Sequence, residues 1–97
     1  MNRFSIQDDA NSELSDAANY YESWSPGLGR VFLDEFERAV QQILTFPHSC
    51  QLVNRTVRPK VLRRFPYSIM YSVKPDTIRI LAIAPQRRRP LYWRGRK

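Results

Sequence analysis

TVRPKVLRRFPYSIMYSVKPDTIRILAIAPQRRRPLYWRGRK, Thr56 to Lys97, decides how this 97-residue chain is read. Tyr67, Ile69, Tyr71 and Val73 alternate with Ser68, Met70 and Ser72, the period of a strand buried on one face. Lys74-Pro75-Asp76-Thr77 is a turn, with Pro75 pre-set for its second position. Ile78 to Ala84 is apolar on both faces except at Arg79, which predicts a central strand. Pro85 ends it. Upstream, Val57 to Phe65 is extended and carries Pro59, which belongs at a strand start or on an edge strand.

The charge divides as sharply as the pattern. From Arg55 onward there are thirteen Lys and Arg against one acid, Asp76. The residues before it hold three bases and eight acids. The two parts carry +12 and −5 and give the net charge of +7. Charge gathered in this way predicts an acidic helical layer behind a basic sheet, and a partner that is nucleic acid or an acidic protein.

The preceding half supplies the helices. Phe4 and Ile6 share one face of a short first strand, Arg3–Ile6. Asp8 or Asp9 is suited to cap a helix in which Ala10, Leu14, Ala17, Ala18 and Tyr21 recur at three- and four-residue spacing. Ser25-Pro26-Gly27 breaks that helix near Trp24. A second starts near Leu28, with Phe32, Phe36, Ala39, Val40, Ile43 and Leu44 in one stripe. Asp34, Glu35, Glu37, Arg38, Gln41 and Gln42 fall mostly on its other side, and Pro47 stops it. The short connection predicts an antiparallel helical hairpin, with Tyr20, Tyr21 and Trp24 packed in it. The order is β-α-α-β-β-β, an α+β fold with the hairpin on one face of a mostly antiparallel sheet, in one domain spanning 1–97.

Several classes are set aside. No apolar run approaches the ~20 residues of a membrane span, and MNRFSIQDD lacks the apolar core of a secretory signal. No membrane role is expected. The single Cys50 makes no internal disulfide and suits a cytoplasmic setting. His48 and Cys50 stand two apart with no second ligand pair, so no metal or other cofactor is expected.

The basic half has two chemistries open to it. Arg and Lys neutralise phosphates and aromatic rings stack on bases, and Arg87 to Lys97 offers both. Cations on alternate strand positions predict an open cationic sheet face away from the helices. Cleaving RNA on such a face needs an acid and a base as well as charge stabilisation. With no His in this half, Lys60 or Tyr92 would have to move the protons.

The ordered set Leu62–Tyr71 (LRRFPYSIMY), Ile78–Ala84 (IRILAIA) and Arg87–Arg96 (RRRPLYWRGR) resembles the RelE/ParE toxin superfamily. So do Tyr20–Glu22, Pro26–Phe32 and Phe46–Pro47 in the first half. The resemblance implies the growth-inhibiting toxin of a bacterial type II toxin–antitoxin pair of the plasmid-stabilisation kind. It further implies a cognate acidic antitoxin bound in a hetero-oligomer. The target it implies is DNA gyrase for ParE-like members, or mRNA cut on the ribosome for RelE-like ones. A RelE-like member would use Lys60, Arg64, Arg79 and Tyr92 for catalysis. A ParE-like one would meet its target through Arg58, Arg63, Arg87, Arg88, Arg89, Tyr92, Trp93 and Arg94. Pro85 stands near the place where many members have a His, and Ser68 where nuclease members often have an Arg. Both departures favour gyrase inhibition over nuclease action. A non-toxic nucleic-acid-binding module on the same sheet, or a decayed toxin, are the other readings.

Overall fold

The computed structural model describes residues 3–87 and 91–97. The elements are β1 (Phe4–Ile6), α1 (Asp8–Trp24), α2 (Leu28–Thr45), β2 (Val57–Val61), β3 (Tyr67–Val73) and β4 (Ile78–Pro85). The strands form one sheet in the order β1-β4-β3-β2. β1 runs parallel to β4, and the other pairings are antiparallel. This is the expected β-α-α-β-β-β arrangement, with β4 interior and the Pro59-bearing β2 on an edge. Proline has no N–H to give the ladder, which an edge strand tolerates because one of its sides is unpaired.

Between β3 and β4 the register slips by one. Met70 faces Ala82 and Tyr71 faces Ile80, which leaves Leu81 as an extra residue in β4. The bulge rotates the strand beyond it. Ile78, Ile80 and Ile83 therefore all reach the helical side, while Leu81 and Ala82 pack on the opposite side.

The main core lies between sheet and hairpin. Phe32, Phe36, Val40 and Ile43 from α2 join Ile69, Tyr71, Ile78 and Ile80, all nearly solvent-free. Phe32, Phe65, Tyr67 and Tyr21 interlock with centroid distances from 4.7 to 6.2 Å, mostly edge to face, the geometry ring quadrupoles favour. α1 contributes mainly its alanines, Ala10, Ala17 and Ala18, so it approaches its neighbours closely. Gly29 of α2 sits at that approach: a Cβ there would lie 2.7 Å from the Ala18 carbonyl oxygen.

Several local expectations are corrected. The cap of α1 is Gln7, whose side chain accepts from the Ala10 N–H at 3.1 Å, and Asp8 and Asp9 occupy the first turn instead. α2 is capped from outside its own sequence. The Glu22 carboxylate accepts the N–H groups of Gly27 at 3.0 Å and Gly29 at 2.9 Å. These backbone bonds, to donors that no helical turn satisfies, hold the Glu22 carboxyl below the usual glutamate range. Tyr20 and Trp24 are not packed in the hairpin. They expose 51% and 68% of their surface, with their rings 5.6 Å apart, because the alanine stripe turns them outward.

Glu35 was expected on the outer side of α2, yet only 4% of it is exposed. Its carboxylate accepts the Arg63 backbone N–H at 3.0 Å and an Arg38 side-chain N–H at 3.3 Å. A buried carboxylate needs such donors. The bond to Arg63 ties α2 to the connection between β2 and β3.

Candidate functional site

The side of the sheet turned away from the helices is not an open cationic face. Val57, Met70, Leu81, Ala82 and Trp93 form a second small core there, with Leu91 and Tyr92 against it. The segment 91–97 therefore crosses the sheet as a strap, and Trp93, 4% exposed, is its anchor. Leu91 takes the left-handed conformation at φ 63° and Gly95 does so at 89°. These tight bends return the chain onto the sheet, and the leucine accepts a strain of order 1 kcal/mol in doing so.

A clasp holds the strap to α1. Beyond Ile80 the edge of β4 has no β1 partner, since the paired residues of β1 end at Ile6. Side chains close that gap. Glu13 of α1 accepts the Ile83 N–H at 3.0 Å, and Arg96 donates to the Leu81 carbonyl at 3.1 Å. Glu13 and Arg96 join each other at 2.9 and 3.1 Å, and the Tyr92 hydroxyl donates to Glu13 at 3.0 Å. Hydrogen bonding to Glu13 is the main reason the Arg96 guanidinium holds its proton more tightly than usual. The Arg96 guanidinium carbon lies 5.3 Å from the Tyr92 ring centre.

The sequence singled out neither Glu13 nor Arg96 as a pair. The signal was present in α1: Glu13 stands three residues after Ala10 and four before Ala17, inside the alanine stripe. Glu35, between Phe32 and Ala39, breaks the stripe of α2 in the same way. An acid on an apolar stripe marks a buried partner.

The strand cations divide differently from expectation. Arg58 and Lys60 stand opposite Tyr71 and Ile69, so both lie on the helical side of the sheet. Arg58 is committed there, donating to the carbonyls of Cys50 and His48. Arg79 alone of the strand cations lies on the strap side, bonded to Ser5 Oγ at 3.1 Å and to the Lys97 carbonyl at 3.1 and 3.2 Å. Arg63 and Arg64 project from the β2–β3 connection, and Arg87 and Arg94 are also exposed. Arg88 and Arg89 lie outside the described residues.

Arg64 lies on the β2–β3 connection and Tyr92 on the strap beside Glu13, and Lys60 and Arg79 do not converge. The row containing Lys60 passes through Ile69 and Ile83, whereas that of Arg79 passes through Ser72. The two residues are separated by three positions along the strands and two strands across. That is about 10 Å in each direction, on opposite faces. The hollow between the start of β3 and the end of β4, about 270 Å³, is bounded by Pro59, Ser68, Met70, Pro85 and Trp93. Among the described residues its walls include no Arg, Lys, His or carboxylate.

A helical hairpin on one face of a four-stranded sheet and a basic strap on the other define a small α+β protein. Over residues 4–90 the chain matches the family model of the ParE toxin of the type II toxin–antitoxin system, parDE, and it belongs to that family. Its members are toxins that form one half of a toxin–antitoxin pair. Among solved structures it is similar to a chain of the chromosomal ParDE toxin–antitoxin system from P. aeruginosa. The TM-score is 0.75 at 20% identity, covering 86% of this chain and 94% of that one, which establishes the shared fold. No curated protein matches the sequence. Among the described residues no helix is long and apolar enough to cross a membrane.

Proposed function

We propose that this toxin arrests growth by inhibiting DNA gyrase and is neutralised in the cytoplasm by an acidic antitoxin. The observation that carries the reading is the separation of Lys60 from Arg79 on opposite faces of the sheet, together with a hollow beside Ser68 and Pro85 that has no charged side chain among its described walls. Cutting RNA by transesterification needs a base, an acid and a charge stabiliser within hydrogen-bond reach of one phosphate. Poisoning a protein target needs only a contact surface. In this reading the exposed guanidinium groups of Arg63, Arg87 and Arg94 make that contact, with Arg88 and Arg89 of the same basic run. Arg is the residue type that anchors such interfaces. Trp93 and Tyr92 serve it by fixing the strap, and Arg58 by fixing the loop that follows α2.

The net charge of +7 suits an acidic antitoxin segment that orders on contact. Purified toxin added to gyrase should abolish supercoiling while a cell-free translation extract runs undisturbed. Codon-phased cuts in translated mRNA from arrested cells, found by primer extension, would replace this reading with ribosome-dependent mRNA cleavage.

A further inference from the structure

The strap covers only part of the sheet. Where β3 ends, its far side opens into a second pocket of about 270 Å³, separate from the hollow beside Ser68 and Pro85. Three segments surround it. Lys74 comes from the end of β3, Arg94 and Lys97 from the strap, and Asn54 from the loop before β2, over a floor that includes Ser72 and Trp93.

The charged side chains in these walls are all cations. The Asn54 side-chain oxygen is already occupied by the N–H groups of Thr56 at 3.0 Å and Val57 at 2.8 Å, which leaves its amide NH₂ as the available group. Ser72 is 3% exposed and lines this pocket, and among the described residues its hydroxyl makes no hydrogen bond to protein. Among the described residues no side-chain oxygen or nitrogen is both buried and without a partner, so this hydroxyl reaches the solvent of the pocket and is available to a ligand. Among the described residues no Asp or Glu side chain lines the walls, and the backbone oxygen of Lys97 is taken by Arg79. Arg96 also borders the space, but Glu13 takes its guanidinium.

We propose that this pocket binds a phosphate group of a polynucleotide backbone, with Lys74, Arg94 and Lys97 around it and the Ser72 hydroxyl beneath. Donors approaching from three sides suit a tetrahedral oxyanion, which spreads its acceptors over several directions, better than a planar carboxylate. Trp93 is buried to its edge, so no ring is presented for base stacking, and recognition is of the phosphate and independent of sequence. The inference shares Arg94 with the proposed gyrase contact but stands apart from the choice of gyrase as target, because it is read by oligonucleotide binding and not by supercoiling.

The test is a titration of the full chain carrying Trp24→Phe, in which Trp93 is the sole tryptophan and reports on the pocket. The probes are a mixed-sequence single-stranded oligonucleotide, inorganic phosphate and polyglutamate. The oligonucleotide should bind in the ~1–100 μM range at physiological salt. Lys74→Gln with Arg94→Gln should weaken it about 10-fold or more and lower the salt slope by about 1. Arg3→Gln with Arg30→Gln removes the same charge from ion pairs away from the pocket and should change affinity less than about 3-fold. Ser72→Ala should also weaken binding, without loss of thermal stability. A response to inorganic phosphate assigns recognition to the group itself, and a response to the oligonucleotide alone assigns it to the polymer; either supports the site. Equal losses in the two double variants, no response to either phosphate probe, or polyglutamate binding with the same dependence on Lys74 and Arg94 would overturn it.

Discussion

Glu13 of α1 and Arg96 of the strap are 83 residues apart in sequence and meet through two parallel hydrogen bonds of 2.9 and 3.1 Å. Their side chains are 19% and 17% exposed, so water competes weakly. A charge-assisted, bidentate pair in that setting is among the stronger polar contacts. In a double-mutant cycle with Glu13→Gln and Arg96→Gln, we expect a coupling of about 1–3 kcal/mol in urea unfolding. A coupling below ~0.5 kcal/mol would mean that the Glu13–Arg96 pair does not hold the strap.

Glu22 gives the acid limb of stability a definite sign. Its folded-state carboxyl lies below the ordinary value because Gly27 and Gly29 donate to the charged form. The contribution is therefore fully present above the unfolded value of about 4.3 and is lost as pH falls through the depressed folded one. Glu22→Gln should lower the melting temperature at pH 7 and narrow its difference from the parent protein toward pH 3. A difference independent of pH across that range would remove Glu22 from the cap.

Gly29 tests the helix crossing. On an isolated helix Gly→Ala stabilises by about 1 kcal/mol. Here the added methyl meets the Ala18 carbonyl at 2.7 Å, a backbone atom that yields only if the helices separate. Gly29→Ala should destabilise by about 1–3 kcal/mol, the usual range for overpacking. A stabilised variant in calorimetry would show that the helices are farther apart than this.

Phe36, 5% exposed, fills the space between α2 and the sheet. Phe36→Ala should cost about 3–5 kcal/mol in denaturant unfolding. Trp24→Phe, at a position 68% exposed, should stay within ~0.5 kcal/mol. Similar losses for both would contradict the outward placement of Trp24.

Much of the fold was legible because the information was local. The stripe from Phe32 to Ile43, the alternation from Tyr67 to Val73 and the doubly apolar Ile78–Ala84 each report a period, and a period specifies a helix or strand and the side it buries. What they left open required distant residues to meet. Tyr20, Tyr21 and Trp24 are alike in composition, yet only the rotation of α1 on its alanines decides that Tyr21 enters the core and the other two face solvent. Arg58, Lys60 and Arg79 all read as sheet-face cations, and pairing register alone puts the first two on the helical side and the third under the strap. The RRRPLYWRGR run gave its chemistry without its posture: Trp93 is an anchor because Val57, Met70 and Leu81 leave it a cavity, and Arg96 is committed because Glu13 reaches it. Sequence determined which side chains prefer water or its absence. Tertiary structure decided which charges are neutralised by a partner and which remain to act, since that depends on distances between segments that no local pattern encodes.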